Sequence, residues 1–339
     1  MQPYFSVIIP VYNGGKRLAA TLDSVCNQTF YDFEIIVVDD GSVDNTSEIV
    51  AGYCEKDPQR VHYFYKENGG VSSARNVGIG KAAGRFVTFL DSDDFLDENY
   101  LQRMFDVLDG TEKGWACCIN KENGRINLAR FAYKEGGVSL LKHILGGGTL
   151  PQTACWTVKR GLLEKSGIAF DESISYTEDY NFFCKFLYYT EGMGIEGIYL
   201  KEVLVDYILH YGSLCQHEKW WLDLKHLKED FESTKGIYNY VESSDREDKA
   251  VYLSLLRRRL KKKYLYNLWG TLLLGEMRDF KHLRQMYLDD KRTYSLLEVD
   301  LGMKYCIWEL ATGPVICYMT LVLRPYKRFQ KSRQRKKIL

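Results

Sequence analysis

Four short runs of β-branched and aromatic residues punctuate the first hundred positions: 5–11 (FSVIIPV), 34–39 (EIIVVD), 61–65 (VHYFY) and 85–90 (RFVTFL). Helical spacing fills the stretches between them, and that alternation predicts parallel strands joined by crossover helices. Two of the runs are nearly unbroken in Val, Ile and Phe, the pattern of strands covered by helices on both faces. Each run ends in a polar cluster: Tyr12-Asn13-Gly14, Asp39-Asp40-Gly41-Ser42, Asn68-Gly69-Gly70 and Asp91-Ser92-Asp93-Asp94. Ligands of open α/β sheets bind beyond the carboxyl ends of the strands, so the four clusters are expected to converge on one crevice.

Between 111 and 210 the pattern is mixed, with strand-like pieces near Trp156 and at 198–209 and a helix over 177–189. This stretch is expected to complete the other wall of the crevice. From 217 onward the composition is helical, without proline until Pro314, and the Glu242-Ser-Ser-Asp-Arg-Glu-Asp stretch reads as a turn between helices. The expected division is a domain over 1–215 followed by a helical region over 216–339.

Composition narrows the classes. At 339 residues, 45% hydrophobic and 27% charged, the chain is an ordinary folded protein rather than a disordered or fibrous one. Forty-six Lys+Arg against 45 Asp+Glu leaves +1, which excludes a general nucleic-acid binder. The last sixteen residues hold eight basic side chains and no acidic one, so the rest of the chain carries 38 basic against 45 acidic residues. Nine cysteines, an odd number without any CxxC, point to reduced thiols and a cytoplasmic setting rather than a disulfide framework or zinc site. The opening MQPYFSVIIP has no basic segment ahead of its apolar run, and Pro10 interrupts that run; it reads as a first strand, not a signal peptide.

No GxGxxG follows the first strand and no GxxxxGK[ST] occurs, so neither a common dinucleotide fold nor a P-loop is supported. In Asp91-Ser92-Asp93-Asp94, side chains two apart on an extended segment align Asp91 with Asp93. Three carboxylates within four residues suit Mg²⁺ or Mn²⁺, with phosphate oxygens and water filling the remaining positions. The competing reading is a turn in which one Asp caps a helix starting near Glu98. Asp39-Asp40-Gly41-Ser42 has the same two sides: a turn with Ser42 or Asp44 as N-cap, or a carboxylate accepting from a base N–H or ribose hydroxyl.

SVIIPVYNGG, then Gln28-Thr29-Phe30 before FEIIVVDDGSVDNT, then ENGGVSSARNVGI, then GRFVTFLDSDDFL, resemble in order the motifs of family 2 glycosyltransferases of the GT-A fold. The match runs over 5–100 almost without gaps and weakens towards 215. The resemblance implies a GT-A-like, doubly wound, mostly parallel α/β sheet with a C-terminal helical region. It also implies that Pro10, Tyr12 and Asp40 line a nucleoside pocket with the Tyr12 ring stacked on a base, and that Asn68 and Arg75 hold the nucleotide, Arg75 through its diphosphate. Asp91 to Asp94 stand at the DxD motif, Asp91 on the donor side and Asp93 and Asp94 on the metal. Without the resemblance, Arg75 reads as an ion pair on a helix starting near Ser72, and Tyr12 as core.

In Tyr176-Thr177-Glu178-Asp179-Tyr180-Asn181, Ser175 with Glu178 fits the S-x-x-E capping box, which assigns Glu178 to a helix start. Asp179 lies about 100° further round the helix and escapes that cap. It is similar to the Asp of the family's ED motif, the general base of inverting members; otherwise it is a first-turn carboxylate favoured by the helix dipole. Trp156 is placed by the resemblance near the acceptor, against a core reading, and His210 near the diphosphate, against that of an ordinary histidine.

The implied activity is transfer of a sugar from a nucleotide-sugar, UDP-sugar first, to a hydroxyl of a saccharide or lipid-linked saccharide, with Mn²⁺ or Mg²⁺ as cofactor and inversion at the anomeric carbon, in cell-surface polysaccharide synthesis. Leu310 to Leu323 is uncharged, too short to span a bilayer, and runs into the basic tail. That combination is expected to anchor the chain on the inner face of the cell membrane through anionic lipid, against the alternative of a core helix with a solvated tail. A second basic run, Arg257 to Lys263, fits the same surface or a solvated helix face. Two other functions compete: a nucleotidyltransferase, and a non-catalytic nucleotide- or carbohydrate-binding protein.

Overall fold

The computed structural model describes residues 2–126, 133, 138–210, 224–274 and 285. The apolar run at 310–323 and the basic tail lie outside the described residues. Strands β1 (Phe5–Val11), β2 (Phe33–Asp39), β3 (Val61–Tyr65) and β4 (Phe86–Phe89) fall within a residue of their expected bounds. They alternate with helices α1 (Leu18–Cys26), α2 (Thr46–Lys56) and α3 (Val71–Lys81). β1 and β2 are buried at every position, as their unbroken apolar runs require, whereas β3 is partly exposed because it forms one edge of the sheet.

After β4 come β5 (Phe95–Leu96), α4 (Tyr100–Leu108), β6 (Trp115–Glu122), α5 (Leu140–Leu145), β7 (Trp156–Lys159), α6 (Arg160–Ser166), α7 (Glu178–Gly192) and β8 (Gly197–Tyr207). The eight strands lie in the order β3-β2-β1-β4-β7-β6-β8-β5. β1 pairs in parallel with β2 and β4, β2 with β3 and β6 with β8; β7 is antiparallel to both of its neighbours and β5 to β8. The sheet is therefore mostly parallel and doubly wound, as expected, with β7 reversed at its middle and β5 reversed at one edge.

Local chemistry explains two close fits. Pro10 lies within β1 but cannot donate to a ladder; the β1–β4 register ends at Ile8, so the side it faces needs no donor there. α3 lies tight on β1 at Gly78, where an added Cβ would come within 2.3 Å of Ile8. Behind the sheet, Trp156 stacks on Phe183 (4.5 Å between centroids) and Phe170 on Phe182 (4.0 Å), with Phe89 edge-on to both Phe170 and Phe182.

Helices α8 (Leu224–Glu242) and α9 (Lys249–Leu274) flank the expected turn. The chain forms two compact units, Met1–Glu218 with Glu232–Leu255, and Lys219–Phe231 with Leu256–Leu339. Residues 232–255 fall in the same compact unit as the sheet. Asn181 Nδ2 donates to the Ser233 carbonyl, Ser233 Oγ to the Thr177 carbonyl, and Arg246 to the Tyr188 carbonyl beneath a guanidinium laid on the Tyr188 and Tyr252 rings. These bonds join α7 and its entry to 232–255 through main-chain carbonyls on both sides.

Candidate active site

The polar clusters do gather at the carboxyl ends of β1 to β4, and each is stapled to its neighbour. Asn13 N–H donates to Ser42 Oγ, Val43 N–H to Asn13 Oδ1, Gly14 N–H to Thr46 Oγ1 and Gly15 N–H to Asp44 Oδ2. Asp39 accepts from Ser42 N–H and from the Tyr63 hydroxyl. Above this base the Tyr12 ring is 55% exposed, free to stack on a planar ligand; the core reading of Tyr12 fails. Pro10, expected to line the same pocket, is buried within β1.

Asp40 and Asn68 are busier than the resemblance implies. Asp40 Oδ1 accepts from Lys66 Nζ (2.5 Å) and Gly69 N–H (2.9 Å), and its Oδ2 from Gly70 N–H (2.7 Å). A carboxylate offers about four lone-pair sites, so one remains for a base N–H. Asn68 commits one amide N–H to the Asp40 carbonyl, which anchors its loop and leaves the second N–H and the amide oxygen. Gly41 permits this contact: its φ of 81° is a left-handed conformation, and an added Cβ would lie 2.8 Å from Asn68 N.

The acidic cluster separates into three roles. β5 follows it and pairs with β8 through Phe95↔Asp206 and Leu96↔Val205, which carries the segment after β8 back over the cluster. His210 Nε2 thereby meets Asp93 Oδ2 at 2.6 Å across 117 positions. Burial raises the Asp93 carboxyl, opposed by the His210 hydrogen bond. Asp94 is 2% exposed and accepts from Ile208 N–H at 2.9 Å; burial, then the charge of Asp91, push it up to about 9. Asp94, expected on the metal with Asp93, is the more buried of the two and uses Oδ1 to pin the β8 exit. Among the described residues no three His, Cys, Asp or Glu side chains form a ready-made metal cage. Asp93 with His210 fits a cation that takes its other ligands from phosphate and water, since Mg²⁺ and Mn²⁺ sites use few protein groups.

Arg75, expected on the diphosphate, is engaged by two carboxylates. It is 2% exposed, with Nη1 2.8 Å from Glu178 Oε1 and Nη2 2.7 Å from Asp91 Oδ1, and lies over the Phe170 ring. The ion-pair reading holds. Recruitment of Glu178 by Arg75 also displaces the capping box: the N-cap of α7 is Thr177, which makes no side-chain capping bond.

Asp179, the second residue of α7, keeps partial solvent contact beside Glu178 and accepts from Tyr180 N–H at 2.6 Å. Burial, then the charge of Glu178, raise its carboxyl to about 7 against the opposing pull of Arg75. That is the working range of a base at neutral pH. Trp156, by contrast, is fully buried, donates its indole N–H to the Pro151 carbonyl and cannot meet a sugar. The one role that residue-level reading underrated is that of His210; the turn chemistry at 91–94 gives no sign of its partner, because only the β5–β8 pairing brings it there.

Residues 6–166 match the model of Glycosyl transferase family 2. An uncharacterized glycosyltransferase of Rickettsia prowazekii is 32% identical over 222 residues, 61% of this chain and 64% of that protein, and one of Rickettsia typhi is 34% identical over 198 residues, 55% and 59% of the two chains. The chain thus spans about three-fifths of the length of these curated relatives. EpsJ of Bacillus subtilis, named an uncharacterized glycosyltransferase, is 28% identical over 266 residues, three-quarters of each chain. Among solved structures, Staphylococcus aureus TarS 1–349 in complex with UDP-GlcNAc superposes with a TM-score of 0.65 at 24% identity, covering 83% of this chain and 79% of that one. The mannosyltransferase PcManGT of Pyrobaculum calidifontis, in complex with GDP-Man and Mn²⁺, does so with 0.57 at 18%, covering 98% and 84%. Sheet order, convergent strand ends and the match over 6–166 agree: residues 6–166 are similar to glycosyl transferase family 2, and the sheet has the GT-A fold of the structures it superposes on.

Proposed function

We propose that the protein is an inverting glycosyltransferase that moves a sugar from a nucleotide-sugar, UDP-sugar first, to a hydroxyl of a saccharide or lipid-linked saccharide in cell-surface polysaccharide synthesis. The observation that carries this reading is Asp179, a carboxyl raised to about 7 and tied through Glu178, Arg75 and Asp91 to the strand end that bears Asp93. Asp179 takes the proton of the acceptor hydroxyl; the oxygen bonds to the anomeric carbon as the bond to the diphosphate oxygen breaks on the opposite face. Tyr12 stacks on the base, and Asp40 accepts from it with the lone pair its loop leaves free. Asp93 and His210 would hold a divalent cation, which when bound would supply neutralising charge for the leaving diphosphate.

The nucleotidyltransferase alternative needs free N–H groups after β1 to cradle a triphosphate. Those of Gly14 and Gly15 are already spent on Thr46 and Asp44. The donor site is tested by melting the wild type and Asp93→Ala with UDP, GDP, CDP and dTDP, each with and without Mn²⁺. A ligand at 100 times its Kd stabilises by about 2.7 kcal/mol. The expected result is a shift for UDP that requires Mn²⁺ and disappears in Asp93→Ala; no shift with any nucleotide overturns the reading and leaves the binding-module alternative.

Attachment to the inner face of the membrane belongs to the same proposal. It rests on the eight basic residues of the tail and on Arg257 and Arg258, which are exposed on α9. The protein is expected to sediment with vesicles containing phosphatidylserine at low salt and to be released as salt rises, because each basic residue near an anionic surface contributes about 1 kcal/mol that ions screen. Recovery wholly in the supernatant at low salt refutes it.

A further inference from the structure

Helix α7 starts without a conventional cap. Thr177 sits at φ 63°, ψ 24°, a conformation that costs a β-branched residue about 1–3 kcal/mol and persists only where surrounding contacts impose it. Ser233 of α8 donates to the Thr177 carbonyl, and the residues on either side of Thr177 are held from α3. Arg75 bridges Glu178 at 2.8 Å and Asp91 at 2.7 Å with two nitrogens of one guanidinium, and lies 5.1 Å above Phe170, whose ring stacks on Phe182 of α7. The next residue, Asn76, grips the main chain of Phe170 from both sides, Nδ2 donating to its carbonyl and Oδ1 accepting from its N–H, each at 2.9 Å. Two consecutive residues of α3 thus hold the first turn of α7 by its leading carboxylate and by the aromatic residue beneath it.

Resting on the glycosyl-transfer reading, we propose that Arg75 is a positioning residue that never touches the donor: by clamping Asp91 and Glu178 together it sets the base Asp179 at a fixed distance from the donor carboxylates at the end of β4. Glu178 is then the handle by which its neighbour is held. The device needs arginine, because a planar fork serves two acceptors in set directions where a lysine offers a single point charge. Its value is in registry: misplacing a reacting group by about 1 Å costs on the order of 100-fold in rate.

Arg75→Lys, Glu178→Gln and Glu178→Ala test this against wild type. Three quantities are read: the Kd of UDP with Mn²⁺ by calorimetry, kcat and KM for UDP release from UDP-GlcNAc, and amide exchange of the peptide spanning 174–183. Expected are a Kd and KM within about twofold of wild type, a kcat lowered roughly 10- to 100-fold in Arg75→Lys and Glu178→Ala with partial rescue in Glu178→Gln, and at least about tenfold faster exchange of the first turn of α7. A Kd that rises in step with the loss of kcat overturns the proposal by putting Arg75 on the diphosphate. Faster exchange with unchanged kcat overturns it too, leaving the clamp merely structural. Failure of the wild type itself to bind UDP or release it refutes glycosyl transfer instead; the exchange arm then still decides the clamp, and unchanged exchange in all three variants overturns it.

Discussion

Asp179→Asn is expected to lower turnover about 10²- to 10⁴-fold while making the protein more stable above neutral pH. The two effects have one cause. Burial, followed by the charge of Glu178, raises the folded carboxyl to about 7, whereas in the unfolded chain it titrates near 4. Below about pH 4 both states are protonated; as pH climbs to 7 the unfolded state gives up its proton first, so stability falls, and above 7 the fold carries a buried anion. Asparagine has nothing to lose. Its advantage is therefore absent at pH 4, grows through pH 7 and levels off on the order of 1–3 kcal/mol, less than the full shift because the side chain keeps some solvent contact. Urea midpoints of both proteins at pH 4, 6 and 8 measure it, and equal midpoints at pH 8 would show that the carboxyl is not raised. For the wild type, kcat/KM is expected to rise with pH to a plateau above about 7, with no such limb in the residual activity of the variant.

Arg75→Met is expected to be the most damaging single change to the fold of the crevice. It removes the shared cation of Asp91 and Glu178, and breaking a buried ion pair from one side costs about 3–5 kcal/mol because the other charge is left uncompensated. Asp91 is partly solvated, which puts the loss near the lower end, roughly 6–12 °C in Tm for a domain of this size. Scanning calorimetry checks it. Further replacement of Glu178 by Gln in Arg75→Met should recover part of the loss, since no stranded carboxylate remains there; if the double variant melts below Arg75→Met, the charge argument is wrong.

Much of this architecture was legible along the chain. β1 and β3 match their expected bounds, β2 starts one residue earlier and β4 is one residue shorter at each end, because strand identity is written in consecutive buried residues and strand ends in Gly, Asn and Asp turns. α3 and α7 begin within a residue of expectation. Tyr12 and Asp179 are singled out by the family motifs; the ring of the first is exposed and the carboxyl of the second is raised. Gln28, by contrast, belongs to a motif yet acts in packing: its amide donates to the Asp97 carbonyl and accepts from Leu101 N–H, tying the end of α1 to the start of α4.

What the chain could not disclose by itself is how its charged groups divide their work. Whether Glu178 caps its own helix or answers Arg75 is decided by a partner 103 positions away, and whether Asp93 or Asp94 faces the crevice by Ile208 and His210, more than 110 positions on. Hydrophobic period and turn chemistry are local, acting over a few residues, so the sequence alone determined the strands, their polar ends and the place of the crevice. A carboxylate's role depends on which donor lies within 3 Å of it, and that choice is made only when β5 pairs with β8 and α3 packs beside α7.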